Sequence, residues 1–161
     1  MTKRDGFLLG LAAGGAALLA GVRAMRNRHA ISFDGRTVVI TGGSRGLGLV
    51  LARQFAAEGA RLCLLARDVD ELDRAREQLP ADAEVMTLRC DIRRRADVRA
   101  AMDHILERWS AVDVLVNNAG IIQVGPLEHM TTEDFENAMA THFWGPLHLM
   151  WEAVPSMRRR G

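Results

Sequence analysis

The hydrophobic pattern divides the chain into two unlike parts. Residues Gly6 to Val22, GFLLGLAAGGAALLAGV, form 17 positions without a charge. From Arg36 onward, short apolar runs alternate with longer segments of mixed polarity. Thr37 to Thr41 is β-branched and continuous rather than alternating, which suits a parallel strand buried on both faces. Arg61 to Ala66, Glu84 to Arg89 and Val112 to Val116 read as three further strands. Between them, helices are expected over Leu47 to Glu58, Val69 to Leu79 and Arg93 to Trp109, and a last one from Glu133 toward Met157. Gly59 is a suitable stop for the first helix and Pro80 for the second, while Thr131 or Thr132 can cap the last. Strands alternating with helices predict an α/β fold with a parallel sheet and right-handed crossovers.

The apolar N-terminal run would span about 26 Å as a helix at ~1.5 Å per residue, the short end of what crosses a bilayer. Lys3 and Arg4 precede it; Arg23, Arg26, Arg28 and His29 follow. It reads as an uncleaved membrane anchor, as a secretory signal cleaved after Ala24, or as a buried or interfacial helix. The expected division is residues 1–30 as anchor and basic linker, and 34–161 as a folded domain in the cytoplasm. The alternative is a wholly cytoplasmic protein. Gly10, Gly14, Ala17 and Gly21 share one helical face and permit close helix packing, although an Ala/Gly-rich run gives that spacing without any such role.

Composition narrows the function. The 161 residues carry a net charge of +1 and are 48% hydrophobic, which excludes a disordered segment and gives no basic footprint for nucleic acid. Two cysteines exclude a disulfide scaffold; Cys63 and Cys90 fall in strand segments and read as buried, reduced thiols. His104, His129 and His148 have no metal-ligand spacing, so no metal is expected. Tyrosine is absent, and Lys3 is the sole lysine.

The chemistry-bearing segment is Thr41-Gly42-Gly43-Ser44-Arg45-Gly46-Leu47-Gly48, at the junction of the first strand and the first helix. A phosphate there would meet free backbone N–H groups and the positive end of the helix. Gly42 permits the tight turn, Gly46 allows close approach of a pyrophosphate, and Gly48 allows close packing of the helix. The spacing T-G-x-x-x-G-x-G resembles the glycine motif of the short-chain dehydrogenase/reductase family. Asp91, after the third strand, matches that family's adenine-contacting acidic residue, and Asn117-Asn118-Ala119-Gly120, after the fourth, its N-N-A-G motif.

The resemblance runs from about Asp34 to Gly161. It implies a Rossmann-type doubly wound sheet, here with strands one to four in the order 3-2-1-4. It also implies an oxidoreductase that transfers hydride between a nicotinamide and an alcohol or carbonyl substrate. Ser44, Leu47, Ile92 and Ala119 are further cofactor contacts by the same resemblance.

Arg67 immediately follows the second strand, where an acidic residue is the usual mark of NAD binding; Asp68 comes one position late. Arg45 lies within the glycine turn. Both are positions where NADP-preferring members carry basic residues, and a guanidinium suits a 2′-phosphate. NADP(H) is therefore expected over NAD(H).

The family's catalytic Ser and Tyr-x-x-x-Lys have no counterpart in this sequence, so the 161 residues are expected to be inactive alone. They read as the cofactor-binding half of a larger enzyme, stopping before a fifth strand. His142, in Thr141-His142-Phe143-Trp144-Gly145, stands where the family has an Asn that supports a proton relay. It reads either as a relay group or as a packing residue. The competing function is a non-catalytic protein that binds a dinucleotide or a partner chain. Against it, Val114-Leu115-Val116 would be an unpaired edge, and Leu147, Met150, Trp151 and Val154 would lose packing surface. Family members commonly pair through the last helix here and the one expected after it, which leaves a homo-oligomer open.

Overall fold

The computed structural model describes residues 31–160. The apolar run Gly6–Val22 and its basic flanks lie outside the described residues. Among those described, no helix is long and apolar enough to cross a membrane.

The element order is β1 (Thr37–Thr41), α1 (Gly46–Ala57), β2 (Arg61–Ala66), α2 (Val69–Glu77), β3 (Val85–Arg89), α3 (Arg95–Trp109) and β4 (Val114–Val116). A short 3-10 turn (Leu127–His129), α4 (Thr132–Met139), a π-helical turn (Ala140–Trp144) and α5 (Gly145–Arg160) follow. All strand pairs are parallel and the order is β3-β2-β1-β4, as the alternating pattern and the resemblance imply. In the register, Val39 lies against Cys63 on one side and Leu115 on the other.

The period-two geometry of the strands sorts side chains into two cores. Val39, Cys63 and Leu65 face a layer holding Val98, Met102, Ile105 and Trp109 of α3 with Leu149 and Ala153 of α5. Val38, Ile40, Leu62 and Leu64 face the opposite layer, with Leu49 and Ala52 of α1 and Leu72 and Ala75 of α2. β1 is buried along its whole length, which is why its sequence is apolar without alternation.

Several boundaries differ from expectation for identifiable reasons. β4 begins at Val114 rather than Val112, because the Val112 amide donates to Ser156 Oγ of α5 (3.3 Å). Asp113 then caps the start of β1: it accepts from the Thr37 amide (2.8 Å), from Arg36 (3.0 Å) and from Arg160 (2.7 Å). α3 starts at Arg95 rather than Arg93, since the Arg93 amide is bonded to Asp91 Oδ1. α1 runs one residue earlier than expected at each end, and Gly59 (φ +78°) turns the chain after it. α2 stops at Glu77, short of Leu79. Cys90 lies one residue past β3. The expected last helix runs without a gap from Thr132 to Arg160 with Thr131 as its cap, and a π-helical turn is inserted between its two α-helical parts, α4 and α5. There, Thr141 Oγ1 donates back to Asn137 O (2.9 Å).

Candidate functional site

The C-terminal ends of the strands frame a cleft of about 570 Å³. It lies where β1 and β4 send their chains to opposite sides of the sheet, the customary ligand position in a doubly wound fold. The glycine turn forms one wall. Gly42 (φ +64°) makes the turn, its amide donating to Leu65 O of β2 at 2.7 Å. Gly46 has φ +55°, and a Cβ there would meet nothing within 4 Å, so the backbone is open to a ligand. Arg45 is the N-cap of α1 but provides no side-chain cap. The first-turn N–H groups are thus left for an anion. Gly48 is the closest-packed of the three. A Cβ there would overlap the Gly42 carbonyl and come 2.7 Å from Asn118 Nδ2. Its closeness is to the turn and to the Asn118 side chain, rather than to the sheet alone.

Thr41 and Asn118 join the glycine turn to the segment after β4. The Asn118 and Ala119 amides both donate to Thr41 Oγ1 at 2.9 Å, and Thr41 Oγ1 donates to Val116 O at 3.3 Å. Asn118 Nδ2 donates to Thr41 O (2.9 Å) and Gly42 O (3.2 Å). Thr41, expected as a cofactor contact, is buried and its hydroxyl is fully engaged, so it organises the cleft without lining it. Gly48 is likewise buried, and Gly46 and Leu47 are exposed on the first turn of α1; none of the three lines the cleft. Gly42, Ser44, Arg45, Arg67, Asp91, Ile92, Asn118, Ala119 and Gly120 do line it together.

Two lining residues that the sequence reading did not single out hold others in the cleft by charged hydrogen bonds. Arg93 grips Asp91: Nη2 to Oδ2 is 2.7 Å, with Nε at 3.0 Å from Oδ1. That charged hydrogen bond holds the Asp91 carboxyl below the ordinary range, with Arg67 adding to it. The pairing of an acid with an arginine two positions on was the available signal. The other residue is Glu71, which binds Ser44 and Arg45. Nothing in local spacing pointed to it.

His142 sits on the π turn, with Nε2 2.8 Å from Ile121 O. The Ile121 amide also faces Nε2, at 3.4 Å; the carbonyl is the closer partner and only accepts, so the proton is assigned to Nε2, which leaves Nδ1 as an acceptor. Its ring lies against Gly120, where a Cβ would come 3.0 Å from Cε1. A π turn inserted in a helix is a frequent companion of functional sites. Burial pushes both thiols up, Cys90 to about 12, so Cys63 and Cys90 are inert. No cluster of three or more metal-ligating side chains occurs among the described residues.

The family model described as short chain dehydrogenase matches residues 36–161. This chain belongs to that family. An oxidoreductase of Mycobacterium bovis is 37% identical over 127 residues, covering 79% of this chain and 51% of the relative. A short chain dehydrogenase/reductase from Burkholderia phymatum, solved in complex with NAD, superposes with a TM-score of 0.78. It is 32% identical, and the match covers 81% of this chain and 47% of that one. A metagenomic short-chain oxidoreductase solved with NADP gives a TM-score of 0.76 at 32% identity, covering 81% of this chain and 60% of the other. The chain spans about half the length of the curated relatives it matches.

Proposed function

We propose that the cleft binds a nicotinamide dinucleotide, with NADP(H) preferred over NAD(H). The whole protein would then transfer hydride between that cofactor and an alcohol or carbonyl substrate. The observation that carries the preference is the placement of Arg45 and Arg67 in one cleft beside the uncapped N-terminus of α1. The pyrophosphate would take the first-turn N–H groups of α1 near Gly46, and a 2′-phosphate would take Arg45 and Arg67. Asp91, fixed as an anion by Arg93, would accept from the adenine amino group, with Ile92 beside it. Asn118, Ala119 and Gly120 would border the path toward the nicotinamide. When bound, the nicotinamide supplies the hydride chemistry; the role of these residues is to bind and orient it. His142 Nδ1 offers an acceptor that could hold a water where the family has its relay Asn.

The sequence has no tyrosine, so the family's Tyr-x-x-x-Lys chemistry is outside these residues, and what they support is the cofactor half of the reaction. We place Gly6–Val22 as a membrane anchor with the domain on the cytoplasmic side. That assignment rests on the charge-free run and its basic flanks. Retention in the membrane pellet after alkaline carbonate extraction supports it, and release into the supernatant refutes it.

The cofactor reading is tested by NADPH titration of Arg45→Ala and Arg67→Ala. Loss of one phosphate-binding guanidinium should weaken NADPH about tenfold or more and leave NADH nearly unchanged. An Arg67→Ala protein that binds NADPH as the parent does would contradict the preference.

A further inference from the structure

Glu71 is the third residue of α2, where a carboxylate often turns back onto the N-cap amide. Its own amide donates to Asp68 Oδ1 at 2.9 Å, while its carboxylate reaches across the cleft. Oε2 accepts from the Ser44 hydroxyl at 2.9 Å and Oε1 from the Arg45 guanidinium at 3.0 Å. Ser44 is buried, and only 25% of the Glu71 side chain is exposed, against 78% of Arg45. The contact spans 26 residues of sequence and links the glycine turn to the segment after β2. A carboxylate held by a hydroxyl and a guanidinium is the chemical counterpart of a phosphate monoester in the same seat. Arg67 and Asp68 line the same cleft.

We propose that Glu71 is an internal competitor for the 2′-phosphate and sets the balance between the phosphorylated and unphosphorylated dinucleotides. This rests on the reading that the adenosine ribose lies beside Arg45 and Arg67. A 2′-phosphate must displace the carboxylate from Ser44 and Arg45 and then remain near a like charge. An unphosphorylated ribose offers hydroxyl donors, which the same carboxylate accepts. Glu71 therefore opposes NADP(H) and favours NAD(H), so the preference set by Arg45 and Arg67 is partly cancelled from within the site.

The test titrates the full chain with NADPH and NADH in the parent, Glu71→Gln, Arg45→Ala and the double variant. Gln retains an acceptor for Ser44 and removes the charge. The expected result is about a tenfold gain in NADPH affinity for Glu71→Gln, with NADH unchanged or weaker; the gain disappears in the double variant. Urea midpoints establish that the variants are folded. If Glu71→Gln does not fold, Glu71→Ala is read in its place and must move the ratio in the same direction. An NADPH-to-NADH affinity ratio that moves less than twofold overturns the proposal, as does an equal gain for both dinucleotides. If the parent binds NADH as tightly as NADPH, the NADP(H) preference fails; the competitor role stands if the substitution still raises the ratio. If neither dinucleotide binds any variant, both readings fall.

Discussion

Replacing Gly48 by alanine separates the packing role of the glycine turn from its ligand-facing role. The added Cβ would overlap the Gly42 carbonyl and lie 2.7 Å from Asn118 Nδ2 and 2.9 Å from the Gly42 carbonyl carbon. Two of these three atoms are backbone, so a side-chain rotation cannot relieve the clash. Relief requires α1 to move away from the turn. Overpacking of this kind costs ~1–3 kcal/mol, and losing the Asn118–Gly42 hydrogen bond costs about 1 more. Alanine returns up to ~1 kcal/mol of helix propensity. The net loss is about 2 kcal/mol, or a shift of roughly 1 M in the urea midpoint of a domain this size. Tryptophan fluorescence can follow unfolding, because Trp109 is buried and bonded to Glu84 at 2.7 Å. The paired control is Gly46→Ala, where there is open space but a φ of +55°. That variant should lose only about 1 kcal/mol of stability and should lose NADPH binding through the methyl it places on the ligand side. A Gly48→Ala protein with the parent's midpoint would refute the packing argument.

Other outcomes follow from the same contacts. Thr41→Val should cost about 2–3 kcal/mol in urea, because the Asn118 and Ala119 amides lose their shared acceptor; an unchanged midpoint would count against the network. Asp113 is pushed up by burial, but the Thr37 amide, Arg36 and Arg160 outweigh this and hold its carboxyl low; Asp91 is held low by Arg93. Both carboxyls thus bind protons less readily folded than unfolded. Their contribution is complete above the ordinary carboxylate range and is lost as pH falls through it toward the depressed folded values. Urea midpoints should decline below about pH 5, and the decline should be shallower in Asp113→Asn; equal slopes would contradict this. Cys63 and Cys90 should resist a thiol reagent in the native protein and react on unfolding, and prompt native labelling would contradict their burial.

β1 and β2 were legible as largely apolar, non-alternating runs, as burial on both faces requires, and the half-buried edge strands β3 and β4 from their place in the alternation of strands and helices. The seat of the glycine turn was equally legible, since a strand, three spaced glycines and a helix leave few other geometries. The π turn was not, because Ala140–Trp144 has the same local propensities whether the helix closes at four or five residues. The part Thr41 plays in holding the cleft together was not legible for a related reason. A threonine ending a strand can face a ligand or turn under the loop, and only the positions of the Asn118 and Ala119 amides decide between them. Glu71 was not singled out, because an acidic residue in the first turn of a helix is ordinary and its partners lie 26 and 27 residues away, beyond any periodic signal.

The central claim is that the cleft framed by Arg45, Arg67 and the N-terminus of α1 takes a phosphorylated nicotinamide dinucleotide. Calorimetric titration of the full chain with NADPH and NADH, in the same buffer and salt, tests it most directly. NADPH should bind the tighter of the two, and its advantage should shrink as salt rises, because charges carry it. Binding of NADH as tight as or tighter than NADPH, or no binding of either, would contradict it.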